Sequence, residues 1–191
     1  VVVEHSNAFI KLNADGSANL AVGSCEMGQG ILGGLVQIAA EELGINAEDV
    51  HVVAGDTDIT QFDSGTHASR SIYAMGNAVL RAAREARVQL LERASKTLGV
   101  STEDLDIKDR QIYVKIAPEK RLSVAEVAKN AIYNFERECL NISGKCSFET
   151  KQQSPSFLAT FAEVEVDDKT GKVKVLRIVL AADVGRAINP M

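Results

Sequence analysis

The chain has 191 residues, 46% hydrophobic and 25% charged, with a formal net charge of −5. A chain of this length buries roughly 70% of the surface its unfolded form exposes, so one large or two small domains with a real core are expected and disorder is not. The acidic balance, the absence of tryptophan and an aromatic content of only 5% speak against a nucleic-acid surface, an anionic-membrane surface and a base-stacking platform. No apolar run approaches the roughly 20 residues that span a bilayer. The opening Val1-Val2-Val3-Glu4-His5 lacks the basic region of a signal peptide. Cys25, Cys139 and Cys146 are an odd count without a C-x-x-C pair, which points to reduced thiols in a cytoplasmic protein rather than a zinc ribbon, an iron–sulfur site or a disulfide framework.

In chain order, Ala8 to Ser24 reads as a β-hairpin. Phe9, Ile10 and Leu12, then Leu20 and Val22, flank the turn Asn13-Ala14-Asp15-Gly16-Ser17. After Cys25-Glu26-Met27-Gly28-Gln29-Gly30, the residues Ile31, Leu32, Leu35, Val36, Ile38, Ala39 and Leu43 recur at helical spacing, with Gly44 as the stop. Val50 to Ala54 is a β-branched strand, followed by a polar loop from Gly55 to Ser71. Tyr73 to Leu98 is the strongest helix, with Ala-rich apolar residues on one face and Arg81, Arg84, Glu85, Arg87 and Glu92 on a solvated one. Ser101-Thr102-Glu103-Asp104 reads as a capped turn, and Ile107 and Ile112-Tyr113-Val114 flank a small hairpin turn. Ser123 and Glu126 form a capping box for a third helix. Asn134 to Ser156 has weak periodicity and is expected to be an irregular connection. Thr160 to Val166 alternates with period two, Ala162, Val164 and Val166 inward and the glutamates outward; it pairs through Asp167-Asp168-Lys169-Thr170-Gly171 with a strand from Val173 to Ala181. The expected class is α+β, with antiparallel hairpins and a mixed sheet packed against amphipathic helices. Residues 1–150 should form a first subdomain and residues 151–191 the start of a second, β-hairpin segment.

Two loops feed directly into helices: 26–30, rich in glycine, and 65–71, Gly-Thr-His-Ala-Ser-Arg-Ser. Unpaired N–H groups and a partial positive charge at a helix start attract anions, hydroxyls add donors, and Arg70 adds a charged fork. Neither loop is a standard nucleotide motif: the lysine of a phosphate-binding loop and the glycines of a dinucleotide fold are missing. His5, His51 and His67 form no catalytic arrangement; His51 reads as a strand residue, while His67 lies inside the second loop. Glu26 is read as holding turn amides, and Asp56 and Asp63 as turn formers.

Glu26-Met27-Gly28-Gln29-Gly30, Gln37-Ile38-Ala39-Ala40-Glu41-Glu42-Leu43-Gly44, Gly55-Asp56-Thr57, Ser69-Arg70-Ser71 and Gly76-Asn77-Ala78-Val79 together resemble the molybdenum-cofactor-binding region of xanthine dehydrogenases and aldehyde oxidases. Phe161 to Asp167, Thr170-Gly171 and Ala182 to Pro190 resemble the same family further downstream. The resemblance implies part of a molybdenum hydroxylase that oxidises aldehydes or N-heterocycles such as purines, with water as the oxygen source. It implies a molybdopterin cofactor, in some members a cytosine dinucleotide, with iron–sulfur clusters and FAD carried by other domains or subunits. By motif match, Met27, Gly28, Gln29 and Gly30 would line the pterin. Thr66, His67, Ala68, Ser69, Arg70 and Ser71 would form the second cofactor loop, with Ala68 nearest the metal. His67 and Arg70 depart from the mammalian pattern; Ser69-Arg70-Ser71 is closer to bacterial members.

The family's next glycine–glutamine loop and its catalytic glutamate would lie beyond Met191, and half of the substrate pocket before Val1. The chain therefore reads as a fragment without a catalytic residue of its own, inactive and free of molybdenum in isolation. The two loops should lie side by side at one edge, and an uncovered apolar face should favour a homodimer. The competing reading is a non-catalytic α+β scaffold that has lost the cofactor.

Overall fold

The computed structural model describes residues 4–133, 139–152 and 155–189. They fall into two compact units, Val1–Lys151 and Gln152–Met191.

The first unit is built on a four-stranded sheet. Strands β1 (His5–Leu12) and β2 (Ala18–Val22) form an antiparallel hairpin in which Ala8 faces Val22 and Leu12 faces Ala18. Alternation decides its faces: Ser6, Ala8, Ile10 and Leu12 are buried, and the residues between them are not. The Asp15 carboxylate closes the turn by accepting from the Ser17 hydroxyl (2.6 Å) and N–H (3.0 Å), and these bonds hold it below the usual aspartate range. Helix α1 (Ile31–Leu43) carries the chain across to β3 (Val50–Ala54), which pairs parallel with β2. The sheet order is β3-β2-β1 and then β7 (Ser143–Glu149).

Helix α2 (Ser71–Leu98) begins two residues earlier than the apolar periodicity indicates and lies across β1 and β7 beside α1. Its alanines 74, 78, 82, 83, 86 and 94 are fully buried, so sheet and helix backbones approach closely. At Gly144 the approach is extreme: a Cβ there would sit 1.9 Å from the Ala82 carbonyl oxygen. Strand β7 corrects the expected irregular connection over Asn134 to Ser156. The period is obscured because a glycine occupies the position that presses on α2, leaving Phe148 as the one large buried side chain of the strand. Residues 134–138 and 153–154 of that segment lie outside the described residues.

A second, three-stranded sheet contains β4 (Leu105–Lys108), β5 (Gln111–Val114) and β6 (Ala117–Ser123). Strand β6 was not expected: Ala-Pro-Glu-Lys-Arg-Leu-Ser is an exposed edge, with no buried residue to set a period. Helix α3 (Val124–Tyr133) follows, started by the expected capping box. Ser123 Oγ accepts from the Glu126 N–H (3.1 Å), and Glu126 accepts from the Ser123 N–H (2.7 Å) and hydroxyl (2.8 Å).

The second unit is a hairpin of β8 (Phe157–Val166) and β9 (Val173–Asp183), with a bulge at Glu163/Val164. The expected division into inward valines and outward glutamates does not hold: both faces are exposed along the whole ribbon. A two-stranded ribbon has no second layer of its own to bury either face. The whole is an α+β fold. Among the described residues no helix is long and apolar enough to cross a membrane.

Candidate functional site

Because β2 and β3 run parallel, Val22 and Ala54 deliver the chain to the same edge of the sheet. From there residues 23–30 lead into α1 and residues 55–70 into α2. Helix starts beyond the carboxyl ends of parallel strands concentrate backbone N–H groups and their partial positive charge. The two loops touch. The Cys25 N–H donates to Thr66 Oγ1 (3.1 Å), and the Thr66 hydroxyl donates to the Cys25 carbonyl (3.2 Å). At Gly23 the backbones pack so tightly that a Cβ would meet the Gln61 carbonyl oxygen at 2.6 Å and the Asp63 Cβ at 2.7 Å.

The first loop closes on itself. Glu26 Oε1 accepts from the N–H groups of Gly28 (2.8 Å) and Gly30 (2.9 Å), and Oε2 from that of Leu32 (3.3 Å). These backbone donors, Gly30 foremost, hold the Glu26 carboxyl below the ordinary glutamate value. Glu26 thus caps α1 from four residues before Gly30, as the sequence reading had it. Gln29 bridges the same loop: its Oε1 accepts from the Met27 N–H (2.6 Å), and its Nε2 donates to the Cys25 carbonyl (3.1 Å). Outward, the loop is open. A Cβ at Gly28 or Gly30 would meet nothing within 4 Å, and Met27 is exposed.

The second loop is built differently. The Arg70 N–H donates to the His67 carbonyl (3.1 Å), closing a turn whose central residues, Ala68 and Ser69, have φ of 48° and 56°. Left-handed backbone costs a non-glycine residue roughly 1–2 kcal/mol. No side chain caps the start of α2, and its first turn holds no acidic residue. His67, Ala68 and Ser69 are exposed, Thr66 is half-buried and Ser71 is buried. The hydroxyl of Ser24, at the root of the first loop, is buried without a hydrogen-bond partner.

Arg70 does not offer its fork to a ligand, which corrects the reading of it as a direct donor. Its side chain is 2% exposed and faces inward. Nη1 donates to Asp63 Oδ1 (3.1 Å) and the Gly65 carbonyl (2.6 Å). Nη2 donates to Ser6 Oγ (2.6 Å) and the His5 carbonyl (3.2 Å). Nε lies 3.5 Å from Glu4 Oε2, an ion pair without a hydrogen bond. Asp63 is accordingly more than a turn former. It accepts from the Gly65 N–H (2.8 Å) and receives the Ser6 hydroxyl (2.5 Å), and its side chain is 1% exposed. Glu4 and Ser6 belong to this cluster but escaped sequence reading, because nothing local joins them to Arg70 over 64 or more positions. Asp56 is a turn former, its Oδ1 accepting from the Asp58 N–H (3.0 Å). His51 is an exposed residue of β3.

The charged row on α2 is likewise not simply solvated. Arg84 pairs with Glu42 (3.3 Å) and Arg87 with Asp106 (2.6 Å), Glu85 accepts from the Lys145 N–H (2.8 Å), and Arg81 lies over the Phe148 ring (4.7 Å). The cysteines form no disulfide, and burial raises the Cys146 thiol above its usual range.

The open face therefore presents the uncapped start of α2, the exposed Ser69 hydroxyl and the His67 imidazole over a floor of tightly packed backbone. That donor set suits an anionic, many-acceptor group. A family model described as Molybdopterin cofactor-binding domain matches residues 2–191. The xanthine dehydrogenase molybdenum-binding subunit of Escherichia coli O157:H7 is 34% identical over 193 residues, covering 100% of this chain and 26% of that protein. The nicotine 6-hydroxylase large subunit of Paenarthrobacter nicotinovorans is 33% identical, covering 98% of this chain and 24% of that protein. A solved structure of CO dehydrogenase from Oligotropha carboxidovorans matches with a TM-score of 0.86 at 31% identity, over 97% of this chain and 23% of that one. The chain spans about a quarter of the length of these relatives. With the family model matching nearly end to end, the chain belongs to the molybdopterin cofactor-binding domain family.

Proposed function

We propose that the touching loops hold one face of molybdopterin within a larger molybdenum hydroxylase. Met27, Gly28, Gln29 and Gly30 line one side, and Thr66, His67, Ala68, Ser69 and Ser71 the other. The observation that carries this reading is the Cys25–Thr66 pair of hydrogen bonds, which brings both loops to one edge beside the uncapped start of α2. Glu26 keeps the glycine loop in shape by engaging its amides, leaving the Cα faces of Gly28 and Gly30 clear for close approach. Ala68, small and at the crest of the exposed turn, is the residue nearest the metal. The uncapped start of α2 offers its N–H groups to a phosphate, the feature a cytosine dinucleotide form of the cofactor would use.

Bound there, the cofactor supplies the oxidising chemistry; this chain's own part is to bind and orient it. The names of the relatives support oxidation of N-heterocycles such as purines, with aldehydes as the neighbouring class. Two of the relatives are named as subunits, which supports partner subunits; in this reading those partners carry the iron–sulfur and flavin groups, in a cytoplasmic assembly. The catalytic glutamate and the remaining cofactor contacts come from residues outside these 191.

Gln29→Ala and Thr66→Val, each placed in the assembled enzyme, test the reading. Molybdenum and released pterin per protein should fall severalfold in both, since each removes a polar contact that shapes the cradle. Full cofactor content in both variants would refute it. The 191-residue segment by itself should carry no stoichiometric molybdenum.

A further inference from the structure

We propose that Arg70 is a positioning residue: from behind the second loop it fixes the Ala68–Ser69 turn, and so the backbone that meets the cofactor. The inference rests on the molybdopterin reading above for its consequence, and on geometry alone for its mechanism. An exposed Ala-Ser pair has no intrinsic reason to hold two consecutive left-handed residues, here at φ 48° and 56°. The constraint has to come from its ends. At the entry, Nη1 holds both Asp63 and the Gly65 carbonyl. At the exit is the Arg70 backbone itself, whose N–H closes the turn on His67. Nη2 ties that assembly to Ser6 and the His5 carbonyl on β1. Four residues must then return the chain over a fixed span, and the left-handed pair is how they do it. Only a planar fork reaches this many acceptors from one side chain; an ammonium does not.

Arg70→Lys in the assembled enzyme keeps the charge and loses the fork. Amide hydrogen exchange at residues 66–69 should quicken at least tenfold while buried α2 amides such as that of Leu90 stay protected, and molybdopterin content should fall about tenfold. Adding Ala68→Gly and Ser69→Gly to Arg70→Lys should bring content back to within about threefold of the unaltered enzyme, because glycine adopts left-handed backbone freely. A merely structural arginine would lower protection everywhere, and the glycines would rescue nothing. Unchanged exchange and content in Arg70→Lys, or no rescue by the glycine pair, would overturn the proposal. Should Arg70→Lys fail to fold, Ser6→Ala removes one contact of the fork while keeping every charge; exchange at residues 66–69 as slow as in the unaltered enzyme would then overturn it. An unaltered enzyme that carries no molybdopterin defeats the functional reading instead, and the exchange comparison alone decides the role of Arg70.

Discussion

The two helix starts at the sheet edge solve opposite problems. The start of α1 is closed from the front: Glu26, an exposed carboxylate of the same loop, gathers the amides of Gly28, Gly30 and Leu32. The start of α2 is left open at the front and held from behind, through a guanidinium buried among Asp63, Ser6, His5 and Gly65. Local closure needs only a few neighbouring residues and solvent-exposed bonds. An open face needs support from behind, and here it comes partly from Asp63 and Gly65 of the same loop and partly from β1, more than sixty positions away in sequence. The loop that stays open turns its own Arg70 and Asp63 inward and anchors them on β1, rather than closing over its front.

The support should prove costlier to remove than the closure. Asp63→Ala leaves the Arg70 guanidinium buried with its principal counter-charge gone, and breaking a buried pair from one side costs about 3–5 kcal/mol. Urea unfolding should show a loss of that size. A loss under about 1 kcal/mol would mean that Arg70 reaches water, and the contrast between front and back support would fail. Gly23→Ala should come next, at about 1–3 kcal/mol, because the added Cβ meets the Gln61 carbonyl and the Asp63 Cβ, neither of which is the loose end of a side chain. A neutral result in the same assay would show that the floor beneath the loops yields. Ala68→Gly should act in the opposite direction. Relief of left-handed strain outweighs the entropy glycine adds to the unfolded chain, for a net gain of about 0.5 kcal/mol. A loss in thermal unfolding would show that the turn carries no strain for Arg70 to hold.

What could be read from sequence divides along the same line. The hairpin turn at Asp15, the capping box at Ser123 and Glu126, and the Glu26 closure all join residues within a few positions, so spacing and residue type sufficed. Strand β7 was hidden because Gly144 replaces the side chain that would have marked its buried face, and β6 because its edge buries nothing. The site residues were legible as motifs, but the role of Arg70 was not. An arginine between two serines reads as an anion donor, and only the tertiary fold reveals the acceptors on β1 that turn it inward. The two-stranded unit misled in the reverse way: its period-two pattern is real, yet alternation shows only that a strand has two different faces, not that something covers one of them.

The smallest expected effect concerns the front closure and has a definite sign. Backbone donors, led by the Gly30 N–H, lower the Glu26 carboxyl below its ordinary value of 4.5. A depressed folded value means that the folded state favours the charged carboxylate. The stabilisation is therefore fully present above pH 4.5 and is lost as pH falls through the lower folded value. Because the carboxylate is exposed, water and salt screen the effect, and the loss should appear as local fraying before any change in global unfolding. Amide chemical shifts of Gly28, Gly30 and Leu32 should move together on acidification, with one midpoint below 4.5, and the N-terminal turn of α1 should exchange faster beneath it. Glu26→Gln should abolish that shared transition. The amides of residues 66–69 provide the comparison: no carboxylate side chain closes them, so they should not follow the Glu26 midpoint. A midpoint at or above 4.5 would show that the three amides do not hold the carboxylate, and both helix starts would then be open.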